Sequence, residues 1–412
     1  ESSAIGAFNQ STFLRLLRRM LEHQWKSRDF YKQTFLNLKQ LSNHPYHIVR
    51  NQMALVFMSL LSNDVRYGQD STNIFPEFPT VKQYLDEVLP ILNKDPSSIH
   101  DITKQVKSIG INVEDSFKKV VGDGEDDQKK SKENKHHVLE TVAIWIKHYS
   151  NCTSISVPKE IYQILPFLWQ FVDNEEIYEN TLKALSSFAI KRTAIEDLGH
   201  VLETVLEFMI ASDSRKAKLN CLEFLQDFLS TNFMSLSLNC KLIRQIEIQI
   251  LAYMADPRLQ VREKASKICC GLIHWGFFHQ ETVMDDFRYK ISHNSVQNVK
   301  KTVQLNRKTS IEFKRQASIL DCDELANYHC GILGLCAIIE AHPYDIPDYV
   351  PGLLMELAKH LHDPQPIPKT VKDTFQEFKR THQDNWQEHK LKFTDEQIMV
   401  LNDLLISPNY YA

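Results

Sequence analysis

The chain has 412 residues, of which 43% are hydrophobic and 24% charged, and its formal net charge is −4. This length allows roughly two to three ordinary domains or one long repeat array, and the small net charge gives no general attraction to nucleic acid or anionic lipid, so we expect neither as a direct partner. The 11 glycines are too few for glycine-rich phosphate loops or turn-rich β structure and favour a helical protein with short connections.

Related segments recur along the chain at a nearly constant interval. The clearest begins at Asp256, where Val261-Arg262 and Ala265 follow with the spacing typical of the second helix of a HEAT repeat. Weaker copies begin at Asp173 and Asp213, which places the three starts 40 and 43 residues apart. These intervals are close to the HEAT and armadillo period of roughly 40 to 47 residues.

Further helices are predicted between and beyond these copies. Looser versions of the motif cover Pro45–Ala54 and begin at Asp363, and Thr193 forms a capping box with Glu196 ahead of an apolar stripe. We therefore predict an all-α fold, a HEAT/armadillo-like α-solenoid of stacked antiparallel helix pairs. Similar amphipathic segments lie at 161–172, 238–254, 324–340 and 349–361.

Two charged stretches interrupt the predicted repeats. Residues 122–137 are a low-complexity run that is predicted to be a flexible loop. Residues 280–321 are predicted to be a basic insert or linker, in which Lys300-Lys301, Arg307-Lys308 and Lys314-Arg315 suit either a nuclear-import or phosphate-binding segment or a plain solvated insert. The other predicted parts are a HEAT-like helical block at 1–121, HEAT repeats at 138–279, C-terminal helical repeats at 322–406 and a projecting tail at 407–412.

The common sequence cues for catalysis are missing. The sequence contains no Gly-x-x-x-x-Gly-Lys-Ser/Thr motif to cradle phosphates, and neither Gly-x-Ser-x-Gly nor His-Glu-x-x-His. His136-His137 and the pair His382 and His389 are interpreted as solvent-facing or capping residues, not metal ligands. The eight cysteines lie mostly among apolar residues without a Cys-x-x-Cys pair, as is typical of reduced core thiols in the cytosol or nucleus. We predict no enzyme, no cofactor and no metal.

The chain ends on residues suited to fill a pocket. Thr394 and Gln397 form another capping box, and the helix that it starts is predicted to run to about residue 406. Pro408 cannot continue that helix, so the last residues should project as a stiff tail. Tyr410-Tyr411-Ala412 would then present an apolar aromatic ring, a phenol and, at a natural C-terminus, a free carboxylate. The alternative interpretation is a frayed terminus.

Five runs near the C-terminus carry a family resemblance: Ala341–Pro347, Leu361–Pro368, Thr370–Lys372, Arg380–Lys390 and Leu404–Ala412. They resemble the C-terminal region of the proteasome activator complex subunit 4 family, in detail over about residues 320–412 and in repeat layout over most of the rest. That family is a very large HEAT-repeat solenoid that caps the proteasome core particle without ATP. The resemblance implies that this chain, which does not begin with methionine, is a C-terminal part of a longer protein.

The resemblance also implies a role for the tail. In the family, a hydrophobic-Tyr-any ending enters a pocket between neighbouring α subunits of the core particle and helps to open its gate. Carried over to this chain, Tyr410 would fill the apolar part of the pocket, Tyr411 would hydrogen-bond through its hydroxyl, and the Ala412 carboxylate would pair with a pocket lysine. Pro408 would lower the ordering cost of the tail. The expected partner is the α ring of the core particle, in the nucleus and cytoplasm.

A second implied feature is a bromodomain-like bundle at about 198–278 that recognises acetylated lysine and, through it, acetylated histones. The family has Asn followed by Phe at the position where this chain has Gly276-Phe277. Glycine has no side-chain amide to bind an acetyl group. Phe277 and Phe278 suit either the core or a pocket wall, and Tyr253 is another potential donor.

A function of a different class stays open at this point. A HEAT scaffold of the transport-receptor or adaptor type would bind a protein partner on its concave face and would not depend on the last three residues. A thiol or metal enzyme is a more distant alternative.

Overall fold

All regular structure in the described part of the chain is helical. In this computed structural model the chain divides into two compact units, Glu1–Phe233 and Met234–Ala412. The structure describes residues 4–23, 28–61, 79–93, 132–150, 157–170, 178–278, 280–293 and 311–405.

The first unit is built from nine helices and two 3-10 turns among the described residues. The turns are Lys39–Asn43 and Lys159–Ile164. The helices are α1 (Ala4–His23), α2 (Arg28–Leu38), α3 (His47–Leu61), α4 (Val81–Leu92), α5 (132–150), α6 (Leu165–Gln170), α7 (Tyr178–Ala189), α8 (Leu198–Ala211) and α9 (Arg215–Thr231).

The second unit follows a short helix at the boundary, α10 (Phe233–Leu236). Its described helices are α11 (Cys240–Tyr253), α12 (Leu259–His274), α13 (Gln280–His293), α14 (Ile311–Glu340), α15 (Val350–Ala358), α16 (Ile367–His382), α17 (Trp386–His389) and α18 (Asp395–Leu405), with a 3-10 turn at Lys390–Lys392.

An aromatic cluster forms part of the core of the first unit. Tyr84 of α4 lies against Phe57 of α3 and Trp145 of α5, with ring centroids 4.6 Å and 5.1 Å apart. All three side chains are buried. The cluster therefore joins three helices that are separated in sequence. The amino-acid composition does not predict which of these helices are in contact.

Helix α14 is the centre of the second unit. It packs against α12, α13, α15 and α16, and its second half, which is apolar on every side, is buried. Gly331 and Gly334 let α13 approach closely, since a Cβ atom added at Gly331 would lie 2.7 Å from the carbonyl oxygen of Phe287.

The Val-Arg motif has the same local geometry in both units. In α3, the Arg50 guanidinium donates to the carbonyl oxygens of His44 (2.7 Å) and Pro45 (2.6 Å). In α12, Arg262 donates to those of Asp256 (2.8 Å) and Pro257 (3.1 Å). The arginine thus ties the turn before each helix to the helix itself, which explains the spacing found in the sequence.

The predicted fold class is confirmed: the chain has an all-α, HEAT-like fold, with each predicted copy of the motif at or just before a helix. None of the described helices is long and apolar enough to cross a membrane. The alternation of isoleucines at 246, 248 and 250 does not form a strand, because these residues lie within α11.

Helices extend into both of the predicted interruptions. Residues 132–137, including His136-His137, lie in α5 and not in a loop, because helix-forming Lys and Glu dominate there. The insert predicted at 280–321 contains all of α13 and the start of α14. Helix α13 is polar on average yet buries Val283, Met284 and Phe287. Residues 122–131 and 294–310 lie outside the described residues.

Candidate functional site

The helix that precedes the tail begins where the sequence predicts. The Thr394 backbone N–H donates to Gln397 Oε1 (2.9 Å), and the Gln397 backbone N–H donates to Thr394 Oγ1 (3.3 Å). These reciprocal bonds are the predicted capping box, and α18 starts at the next residue and runs to Leu405. The tail residues Pro408, Tyr410, Tyr411 and Ala412 lie outside the described residues, so their roles stay predictions.

Helix α18 is fastened to the second unit by its start and its middle. It packs on α15 and α16, and Leu401 is fully buried. Phe393, just before the helix, is buried with its ring centroid 6.3 Å from that of Phe378 and 5.7 Å from that of Trp386. A helix held at two points presents its C-terminal end in a defined direction.

The turn before α18 is also tied to the loop that follows α14. Lys392 Nζ donates to the carbonyl oxygen of Ile346 (2.6 Å). His382, the last residue of α16, places Nδ1 3.0 Å from the Phe378 carbonyl oxygen and Nε2 3.3 Å from that of Asp345. We call the set Asp345, Ile346, His382, Lys392 and Phe393 the tail platform.

Of the two roles predicted for His382, solvent-facing or capping, the structure shows the capping one. His382 is only 2% exposed, because its ring stacks on Phe378 with centroids 4.2 Å apart. It occupies the last turn of α16 and faces a helix carbonyl, as a capping side chain does. Burial and the neighbouring His382 lower the pKa of His389. Within the described residues, no group of three or more His, Cys, Asp and Glu side chains is arranged to hold a metal ion.

A buried chain of hydrogen bonds, which the sequence did not reveal, links α12, α14 and α16. Arg262 Nε donates to His329 Nδ1 (3.2 Å), and the other ring nitrogen of His329 lies 2.8 Å from Thr370 Oγ1. Since arginine only donates, His329 is neutral with its proton on Nε2, which donates to Thr370. The Val-Arg motif identified Arg262, but its partner lies 67 residues further on.

These hydrogen bonds of His329 predict how the stability of the protein depends on pH. Burial, and secondly the Arg262 charge, lower the pKa of His329 to about 3. Between that value and the unfolded pKa of about 6.5, the unfolded state binds more protons, so the free energy of unfolding falls as the pH falls below about 6.5. We expect a loss of about 3 kcal/mol at pH 4.5 from this residue.

The measurement is hydrogen exchange of α14 amides at pH 7 and pH 4.5, in the natural chain and in His329→Gln. Glutamine keeps one acceptor and one donor group but does not titrate. Carboxylates elsewhere contribute equally in both proteins, so the difference between the two pH slopes isolates His329. Equal slopes would contradict the assignment.

Five of the described cysteines are not activated thiols. Burial raises the pKa of Cys221, Cys269, Cys330 and Cys336, and it raises that of Cys270 to about 12. Such thiols stay protonated near neutral pH and are poor nucleophiles. Four of the six described cysteines are buried, in agreement with the prediction of core thiols, whereas Cys270 is half-buried and Cys240 is exposed.

Comparison with known proteins bears directly on this region. A family model described as "Proteasome activator complex subunit 4-like, C-terminal" matches residues 325–412, which include the tail platform. Proteasome activator complex subunit 4A of Danio rerio is 29% identical over 99% of this chain and 21% of its own length. Proteasome activator complex subunit 4 of Xenopus laevis is 33% identical over 67% of this chain and 15% of its own length. The chain belongs to the proteasome activator complex subunit 4 family.

This family membership fits the other comparisons. The human relative, proteasome activator complex subunit 4, is 28% identical over 99% of the chain and 21% of its own length, so the chain spans about a fifth of the relatives that it matches. These two relatives are named as proteasome activator complex subunits, which agrees with the prediction that the chain is not an enzyme. Among solved structures, an engineered protein aligns over 96% of this chain and 95% of its own with a TM-score of 0.28 and 13% identity, too low a similarity to bear on the fold.

The residues that the family resemblance assigned to acetyl-lysine recognition have a clear local role. Gly276 ends α12 with a positive φ of 74°, and its N–H donates to the Ile273 carbonyl oxygen (2.9 Å), while the Phe277 N–H donates to that of Leu272 (2.9 Å). This is a Schellman-type helix end, in which glycine is preferred and asparagine is tolerated. Phe277 is half-buried. The unit boundary after Phe233 falls inside the range 198–278.

Proposed function

We propose that the chain is part of an ATP-independent activator that caps the proteasome core particle and opens its gate. The proposal depends above all on one observation, the anchored helix α18, which carries the tail in a family whose relatives are named proteasome activators. The partner would be the α ring of the core particle. The tail Tyr410-Tyr411-Ala412 would enter a pocket between neighbouring α subunits.

Each tail residue would make a different contact. The Tyr410 ring would fill the apolar part of the pocket, the Tyr411 hydroxyl would donate and accept hydrogen bonds, and the Ala412 carboxylate would pair with a lysine. Pro408 would restrict the free tail and so lower the entropy lost on docking. Binding energy alone would drive gate opening, since the sequence has no phosphate-binding loop.

The anchoring of α18 supports this proposal by limiting where the tail can reach. Seven residues follow Leu405, and a chain of that length spans at most about 25 Å when extended. Because α18 is fixed by its capping box and by Leu401, a tail of this length would search only a small volume. A small search volume would raise the effective concentration of the tail at a pocket within its reach.

The proposal predicts that small changes to the tail strongly weaken activation. Tyr411→Ala, or deletion of Ala412, should weaken docking by about tens to a hundredfold, because each removes a partly desolvated polar contact. The readout is fluorogenic-peptide hydrolysis by purified core particle with increasing amounts of the protein. Tyr344→Ala is the matched control, since Tyr344 is 79% exposed and lies outside the tail. Equal activation by all variants would favour a scaffold that binds elsewhere.

A second part of the proposal concerns acetylated histones, and here we predict a negative result. Gly276 offers no amide, and its backbone N–H already bonds within the chain. The natural chain should therefore bind an acetylated histone peptide no better than the unmodified peptide. Gly276→Asn places an amide at an open position, since an added Cβ meets nothing within 4 Å, and asparagine tolerates the positive φ. Calorimetric titration of both proteins with both peptides tests this. A preference of the natural chain for the acetylated peptide would contradict the prediction.

Nuclear and cytoplasmic localisation remains a prediction.

A further inference from the structure

Four histidines lie around the loop that joins α14 to α15. This loop, residues 341–349, carries Asp345 and Ile346 of the tail platform. Three of the histidines end helices that pack near the loop, and the fourth belongs to the loop itself. They are His274 of α12, His342 of the loop, His382 of α16 and His389 of α17, and we call them the histidine cluster.

Two members of the cluster bond to the backbone of the loop. His274 places Nδ1 2.7 Å from the carbonyl oxygen of Ala341, where the loop begins. His382 places Nε2 3.3 Å from the carbonyl oxygen of Asp345, in the middle of the loop. Helices α12 and α16 therefore hold the same loop through imidazole groups.

His342 fastens the loop from inside. Gln280 Nε2 lies 3.2 Å from His342 Nε2, and because an amide nitrogen only donates, the histidine accepts this bond in its neutral form. Its proton then lies on Nδ1, which is 3.5 Å from Asp345 Oδ1. The Tyr349 hydroxyl lies 2.8 Å from Nε2 and donates to Gln280 Oε1. A second proton, on Nε2, would turn the contact with Gln280 into one between two N–H groups.

His389 is placed where a charged ring is costly. Within the described residues, its buried Nδ1 has no hydrogen-bond partner, and its ring centroid lies 5.0 Å from that of His382. Protonation of Nδ1 would bury an unpaired N–H group of a cation beside a second imidazole. The neutral ring avoids that cost.

We propose that the histidine cluster is a pH-sensitive latch, which holds the loop 341–349 in the tail platform while its rings are neutral and releases it when His342 and His389 are protonated. The consequence for tail docking rests on the proposed function. The link is Lys392, which precedes α18 and donates to the carbonyl oxygen of Ile346 (2.6 Å). Release of the loop would remove this support of α18, so the chain would activate the core particle less well in mildly acidic solution.

The direction of the pH effect follows from the surroundings of the two rings. Burial lowers the pKa of His342, and the nearby Asp345 carboxylate only partly offsets this shift. Burial and the neighbouring His382 lower the pKa of His389. Because both folded values lie below the unfolded one, the latch is fully stable above about pH 6.5 and weakens as the pH falls below it. The titratable and charged groups that face one ring or the other are Asp345, Tyr349, Glu388, Lys392, His274 and His382.

Titration of the individual rings tests the latch without altering the protein. Deuterium exchange at the Cε1 carbon of an imidazole depends on its protonation, and mass spectrometry reads each histidine separately. In the folded 412-residue chain, His342 and His389 should take up protons at a lower pH than the same rings in the urea-unfolded chain. Titration at the same pH in both states would overturn the proposal.

Backbone hydrogen exchange measures release of the loop. After correction for the intrinsic pH dependence of exchange, protection of residues 341–349 should fall by at least about tenfold between pH 7 and pH 5, since one extra proton on the released state contributes up to about tenfold per pH unit. In the double variant His342→Gln with His389→Gln, the fall should be below about threefold. His362→Gln, at an exposed histidine outside the cluster, should behave like the natural chain.

Equal falls in the natural chain and the double variant would overturn the latch. Protection of α14 amides at pH 7 shows whether the double variant is folded, and the ring titration decides the proposal if it is not.

The link to docking has its own readout. We expect activation of peptide hydrolysis by the core particle, expressed as the ratio with and without the chain, to fall at least about threefold from pH 7 to pH 5.5 with the natural chain and to be retained with the double variant. An equal fall with both proteins would overturn the regulation of docking by the latch. If the natural chain activates at neither pH, the proposed function fails, while the exchange measurements alone decide whether the latch exists.

Discussion

Replacing Arg50 by methionine should destabilise the first unit by about 3 kcal/mol, because it leaves the buried carboxylate of Glu140 without its strongest partner. Arg50 and Glu140 form an ion pair in which Nε donates to Oε2 at 2.9 Å, and their side chains are only 8% and 6% exposed. His47 also contacts Glu140, so we place the effect at the lower end of the range for a broken buried pair.

The double substitution Arg50→Met with Glu140→Leu should recover most of that loss, since it removes the isolated charge as well as the pair. Hydrogen exchange of buried amides in α3 and α5 gives the free energy of opening for this unit. Lys183→Met is the matched surface control, because the Lys183 and Glu179 pair is exposed on α7 and should have no measurable effect. If Arg50→Met alone is as stable as the natural chain, the Arg50 and Glu140 pair does not hold α3 to α5.

Replacing Gly331 by alanine should destabilise the second unit by about 3 kcal/mol, because α13 and α14 would have to separate. The added Cβ would lie 2.7 Å from the Phe287 carbonyl oxygen and 2.6 Å from Ile291 Cγ1. A backbone oxygen cannot turn aside as a flexible side chain can. A Cβ atom added at Gly334 would likewise collide with the Phe287 ring, which is fully buried.

Gly352 is the control for this prediction. An added Cβ there meets nothing within 4 Å, and alanine lowers the entropy of the unfolded chain, so Gly352→Ala should stabilise the unit by about 0.5 kcal/mol. Hydrogen exchange of α14 amides compares the two variants under the same conditions. Equal stability of Gly331→Ala and Gly352→Ala would mean that the two helices are not in close contact.

The features that the sequence predicted are those with a local signal. The Val-Arg spacing marks α3 and α12 because each arginine bonds to carbonyl groups five and six residues before it. The Thr394 and Gln397 capping box is likewise complete within four residues. Pattern matching works in these cases because both partners lie in one short window.

The features that the sequence did not predict depend on contacts between distant segments. The sequence predicts a linker where α13 lies because this segment is polar overall, yet Phe287 is buried where Gly331 and Gly334 of α14 make room for it. His329 carries no signal of its own, since its neutral state follows from Arg262 and Thr370 in other helices. Neither pairing could be found before the packing of the helices was known.

The measurement that tests the central claim most directly is binding of a synthetic peptide of residues 403–412 to purified proteasome core particle. The peptide would be compared with its C-terminal amide and with versions that lack Ala412 or carry Tyr411→Ala. Tail docking predicts that only the unmodified peptide with a free carboxylate binds and competes with the whole chain for the core particle. If the amide and the truncated peptide bind equally well, or if the unmodified peptide fails to compete with a chain that itself activates hydrolysis, the tail is not the anchor.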